Sequence, residues 1–140
     1  VLNRFRLEFP SRPENVGLAR VAVAAFAAQL DPTLEELDEI KGAVSEAVTN
    51  AIIHGYGNSP DGIVIVEGIL YGDAIEVCVE DAGKGMEDVA RAMEPEQTSD
   101  PERLGLGFTF MKTFMDEVKV DSVPGQGTRV IMRKQLATRH

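Results

Sequence analysis

From Leu2 to Phe9 the chain alternates, with Phe5, Leu7 and Phe9 on one side and Arg4, Arg6 and Glu8 on the other, which predicts a half-buried strand. Ser11-Arg12-Pro13-Glu14 has capping-box spacing, with proline tolerated in a first turn. A helix is therefore expected over about residues 13–30, turning Ala19, Val23, Phe26 and Leu30 inward until Asp31-Pro32 stops it. Thr33-Leu34-Glu35-Glu36 is a second capping box. The helix it opens sends Leu37, Ile40, Val44, Ala47, Val48 and Ile52 toward a core, and Gly55, Gly57 and Asn58-Ser59-Pro60-Asp61-Gly62 end it in a loop.

Two strands follow at residues 63–70 and 74–80, joined by a hairpin through Tyr71-Gly72-Asp73. A glycine turn leads into a short helix near residues 87–93. Residues 94–103 hold Pro95 and Pro101 among polar positions without periodicity, and read as a lid loop. A helix over 106–115 carries Phe110, Met111 and Phe114. The last strand pair, 118–123 and 128–133, turns at Pro124-Gly125-Gln126-Gly127. The order β-α-α-β-β-α-α-β-β predicts an α/β (α+β) two-layer sandwich: a mostly antiparallel sheet with helices on one face. At 140 residues the chain supports one domain, 1–140.

Composition narrows the function classes. A net charge of −9 argues against direct nucleic-acid contact, which needs a basic footprint, and is compatible with a basic protein partner. No apolar run approaches the roughly 18 residues of a membrane span. The N-terminal Val-Leu-Asn-Arg-Phe-Arg-Leu lacks a signal-peptide core, so a cytoplasmic protein without membrane attachment is expected. The single cysteine, Cys78, excludes an internal disulfide framework and reads as a buried, inert thiol.

The chemistry concentrates in three segments. In Glu46-Ala47-Val48-Thr49-Asn50 a carboxylate lies one helical turn from an amide, so a proton acceptor and an oxygen ligand for Mg²⁺ share a helix face that continues toward His54. His54 itself reads as a core histidine or a helix C-terminal cap. Asp81-Ala82-Gly83-Lys84-Gly85 puts a carboxylate at the end of a buried strand, where it needs hydrogen-bond partners; an adenine amino group is one, and a plain structural turn is the other reading. Gly105-Leu106-Gly107-Phe108 opens a helix, either as an anion site for phosphates or as an ordinary helix start, with Arg103 ahead of it as a charge clamp. Neither a Walker A loop nor a Rossmann fingerprint is present.

Those residues carry a resemblance. Glu46-Ala47-Val48-Thr49-Asn50-Ala51 resembles the N box of the GHKL superfamily, and the two glycine segments resemble its glycine boxes. Gly125-Gln126-Gly127-Thr128 is similar to its late Gly-Thr element. The likeness covers nearly the whole chain and implies the Bergerat ATP-binding fold. The wording from Glu46 to Tyr56, with Leu18–Phe26 and Phe114–Val118, is similar to the sporulation anti-sigma factor serine kinases of Gram-positive bacteria.

That resemblance implies a homodimer that binds a sigma factor and uses ATP to phosphorylate a serine on an anti-anti-sigma protein, with ATP or ADP and Mg²⁺ as cofactors. It implies Glu46 as catalytic base, Arg103 at the γ-phosphate, Asn50 on Mg²⁺, Asp81 on adenine and Thr128 in support of Asp81. Gly83, Gly85, Met86, Ala51, His54, Gly105, Leu106, Gly107 and Phe108 become candidate nucleotide contacts, and Thr98 and Ser99 fall in the lid. The lid segment Glu94-Pro95-Glu96-Gln97 is more acidic than expected beside a triphosphate. Arg20, among small residues on the first helix, is a candidate partner-docking residue. Two other functions fit the same motifs: the ATP-binding half of a histidine kinase, and a nucleotide-gated binding module without catalysis.

Overall fold

The alternating segments become β1 (Asn3–Pro10), β2 (Ile63–Tyr71), β3 (Ala74–Asp81), β4 (Glu117–Val123) and β5 (Gly127–Gln135). They form one antiparallel sheet in the order β1-β2-β3-β5-β4. The structure, a computed structural model, describes residues 1–86 and 104–137, with side chains in the latter stretch from residue 107. Because side chains alternate across a strand, one register puts a whole apolar set on one face. Val64, Val66 and Leu70 of β2, Ile75, Val77 and Val79 of β3, and Val130 and Met132 of β5 fill that face. One cross-strand row at its end runs Phe9, Val64, Asp81, Thr128, Ser122, so polar groups replace apolar ones where three strands finish together.

The helices α1 (Asn15–Ala27), α2 (Leu34–Asn50) and α3 (Leu104–Phe114) cover the apolar face, α1 against α2 and α2 against α3. This is the two-layer α/β sandwich that the sequence predicts. Helix α2 buries Ile40, Ala43, Val44, Ala47 and Val48, and Phe108, Met111 and Met115 close the core from α3 and the residue beyond it. The capping box at Thr33 forms as expected, with Thr33 Oγ1 accepting from the Glu36 N–H and Glu36 Oε1 accepting from the Thr33 N–H.

The first helix departs from expectation. Ser11 does not cap it: its hydroxyl donates to the Ser59 carbonyl at 2.6 Å and accepts from the Gly62 N–H at 3.0 Å. Ser11 is buried beside the loop before β2, so a tertiary partner outcompetes the local cap. The helix begins at Asn15 instead, with no side-chain cap at Glu14, and ends in a 3₁₀ turn, Ala28–Leu30, before Asp31 at φ +52°. Helix α2 also changes character, passing into a π turn over Ala51–Gly55 in which the Tyr56 N–H reaches the Ala51 carbonyl at 3.1 Å. The expected short helix near 87–93 and the lid at 94–103 lie outside the described residues.

Candidate nucleotide site

Glu46 and Asn50 stand one turn apart on α2, where α3 crosses. Their partner across the gap is a glycine. A Cβ added at Gly107 would sit 3.1 Å from Glu46 Oε2 and 3.2 Å from Asn50 Nδ2, so the missing side chain leaves these two polar groups room beside the α3 backbone. Asn50 is buried, and among the described residues its Nδ2 has no hydrogen-bond partner. A buried polar atom left so costs roughly 1–3 kcal/mol. The amide can present either its oxygen or its nitrogen to the gap, so a cation carried by a phosphate chain, or a phosphate oxygen, would satisfy it.

Asp81 ends β3 in the polar row, buried, with its Oδ1 accepting the Gly83 N–H at 2.9 Å. The Thr128 backbone also donates to it. Burial pushes the Asp81 carboxyl up to about 6 against the pull of these two donors. It therefore holds acceptor capacity in a dry setting, as recognition of an amino group on a flat base requires.

The glycine loop after Asp81 is held from both sides. On one side the Gly55 carbonyl, at the end of the π turn, accepts the Lys84 N–H at 2.9 Å, and the Tyr56 hydroxyl accepts the Ala82 N–H at 2.8 Å. On the other, the Lys84 carbonyl accepts the Gly125 N–H at 2.6 Å and Ser122 Oγ accepts the Met86 N–H at 2.7 Å. Ser122 Oγ also lies 2.8 Å from Thr128 Oγ1, which joins the strand row to the loop. Two of the glycines are sterically required: a Cβ at Gly83 would overlap the Gly55 carbonyl, and one at Gly85, at φ +72°, would overlap the Val123 carbonyl.

The remaining expected residues fall as follows. Gly107 faces the Glu46–Asn50 pair. Ala51 and Phe108 are core side chains, so each offers the site only its backbone. His54 is half-buried on the π turn, and Met86 packs at the core margin. Gly105 and Leu106 lie in the first turn of α3 without described side chains. Arg103, Thr98 and Ser99 lie outside the described residues. Cys78 is buried on β3; burial pushes its thiol up, against the Arg129 guanidinium whose Nε donates to its Sγ at 2.9 Å.

Arg20 is exposed on α1 and lines an open groove of about 580 Å³ that Glu46 also lines. Gly42 and Ser45 of α2 and Phe110 and Phe114 of α3 line it as well. Sequence reasoning missed Tyr56 and Ser122. For Ser122 a signal existed, since it shares the inward parity of Val118 and Val120 on β4.

The family model described as the histidine kinase-like ATPase domain matches residues 9–134. The chain is 55% identical over 136 residues to a protein of Clostridium novyi named anti-sigma F factor, covering 96% of this chain and 95% of that one. It is 54% identical over 138 residues to the anti-sigma F factor of Clostridium perfringens, covering 97% and 99%. Among solved structures, the RsbU and RsbW domains of Rv1364c from Mycobacterium tuberculosis match with a TM-score of 0.68 at 18% identity, over 96% of this chain and 32% of that one. The catalytic domain of the histidine kinase ThkA matches with a TM-score of 0.61 at 14% identity, over 94% and 96%. Those two likenesses bear on the fold. The motif residues and the full-length matches agree: this chain belongs to the family of histidine kinase-like ATPase domains, alongside the anti-sigma F factors of the clostridia.

Proposed function

We propose that this chain is an ATP-dependent protein serine kinase that also binds and inhibits a sigma factor. Its phosphorylation substrate is a serine on an anti-anti-sigma protein, and it works as a homodimer in the cytoplasm. The observation that carries this reading is that Glu46 belongs to two places at once. It faces Gly107 and Asn50 in the nucleotide gap, and it lines the open groove that leads to Arg20. A group that only held nucleotide would have no reason to meet a groove open to a protein partner. The relatives named anti-sigma F factor support the sigma-factor part.

The residues fit Mg²⁺-ATP. Asn50 brings a buried amide in need of a partner, and Asp81 a buried acceptor beside a glycine loop held on both sides. Bound ATP with Mg²⁺ supplies the transferable phosphoryl group and the charge that offsets it. Asn50 would hold the cation and Asp81 the adenine amino group. Glu46 would take the proton of a serine hydroxyl delivered through the groove, which makes that oxygen the attacking nucleophile. The backbone N–H groups at the start of α3 would face the phosphates, and Arg103, Thr98 and Ser99 keep the phosphate roles that the motif order implies. Arg20, which lines the groove, would anchor the docked protein there.

The test is transfer from γ-labelled ATP to a mixture of candidate sigma and anti-anti-sigma proteins. Label on a serine supports the kinase. Label on a histidine points to histidine-kinase chemistry, and ATP binding without any label points to a binding module.

A further inference from the structure

We propose that Tyr56 is a positioning residue that sets the base selectivity of this site, by fixing the orientation in which Asp81 meets the nucleotide. The proposal rests on the nucleotide reading above. Tyr56 follows the π turn, and its hydroxyl uses both of its functions. It donates to the Ile63 carbonyl at 2.5 Å and accepts the Ala82 N–H at 2.8 Å. One side chain thus ties the start of β2 to the residue immediately after Asp81. Its ring is held in turn, because a Cβ at Gly62 would lie 2.5 Å from it.

The consequence for Asp81 is geometric. Asp81 Oδ1 is turned back to the Gly83 N–H, so its rotamer follows wherever residues 82–84 are held. They are held at Ala82 by Tyr56 and at Lys84 by the Gly55 carbonyl. Gly55 also touches the carboxylate: a Cβ there would lie 2.7 Å from Asp81 Oδ1, so the backbone of the π turn forms one wall of the acceptor. A carboxylate that distinguishes one base edge from another must present its lone pairs at a fixed angle, because a misaligned hydrogen bond loses most of its worth. Removing the Tyr56 hydroxyl leaves the Ala82 N–H and the Ile63 carbonyl without their partner. The loop then rearranges at the residue next to Asp81. The Glu46–Asn50–Gly107 region keeps its geometry, because the bond from the Lys84 N–H to the Gly55 carbonyl that sets its spacing to the loop does not use the Tyr56 hydroxyl.

The experiment is calorimetry of the unmutated chain and Tyr56→Phe against Mg²⁺-ATP, Mg²⁺-GTP and inorganic tripolyphosphate. The expected result is ATP binding weakened about tenfold, tripolyphosphate binding unchanged, and the preference for ATP over GTP reduced by the same factor. Equal losses for all three ligands, or an unchanged ATP preference, overturn the proposal, since a merely structural role would act on every ligand alike. An unmutated chain with no preference for ATP over GTP overturns the adenine reading together with this proposal, and so separates the two failures. Should Tyr56→Phe not fold, the Ala82 amide of the unmutated protein is followed by NMR. Slower exchange on adding ATP but not tripolyphosphate supports the proposal, and the same response to both, or to neither, overturns it.

Discussion

The carbonyl of Gly55 accepts a hydrogen bond from the backbone N–H of Lys84 at 2.9 Å, which ties the end of the segment bearing Glu46 and Asn50 to the loop after Asp81. Through that bond the two halves of the site, one on a helix and one on a sheet, share a fixed spacing. Their contact surface has no room for a side chain.

Gly83→Ala should therefore be among the more damaging single changes in the chain. The new methyl would overlap the Gly55 carbonyl, and both neighbours are backbone, which yields only by moving the loop. The expected cost is about 1–3 kcal/mol of stability, read as a lower midpoint in urea, with weaker ATP binding in the fraction that folds. Unchanged stability would mean that the loop and the π turn are not held together.

Asp81 makes stability depend on pH. Its folded value of about 6 lies above its ordinary 3.8, so the folded protein holds this proton more tightly than the unfolded chain. The stability it lends is complete below roughly pH 4 and is lost as pH rises through about 6. Asp81→Asn has no such proton, so its melting temperature without nucleotide should gain on the unmutated chain between those two pH values. The same variant should bind ATP one to two decades more weakly, about 1.5–3 kcal/mol for a charged hydrogen bond. Parallel pH profiles for the two proteins would show that Asp81 is not desolvated.

Arg20→Glu should weaken binding of the sigma factor or of the substrate protein by more than about tenfold, or 1.4 kcal/mol. ATP affinity should stay unchanged, because Arg20 is exposed on α1 and lines the groove, which Asn50 does not line. Partner binding is measured by titration with the melting curve as a control for folding. Unaltered partner affinity in a folded variant would move the docking surface off α1.

What was legible in the sequence was local or periodic. The Thr33 cap forms because its partners are its own neighbours, three residues on. The strands follow from alternation, and the Glu46–Asn50 pairing from helical spacing. What was not legible came from tertiary contacts. Ser11 has the spacing of a cap, yet its hydroxyl bonds to Ser59 and Gly62 across the fold. The π turn leaves no mark on the apolar pattern, so the arrival of Gly55 and Tyr56 at the glycine loop could not be read. The parity of Ser122 on β4 marks it as inward, but its reach to Met86 and Thr128 comes from β4 lying beside β5. Phe108 looked like part of a ligand site by motif, but its side chain fills the core.

The central claim is that Glu46 acts as the base for phosphoryl transfer, and one comparison tests it most directly. The unmutated chain and Glu46→Gln are each given γ-labelled ATP and the substrate protein, with ATP affinity measured in parallel. The account predicts equal ATP binding within a factor of about three, label on a serine with the unmutated chain, and transfer reduced by at least about a hundredfold in the variant, the usual scale of general-base catalysis. Comparable transfer rates in the two proteins would contradict it.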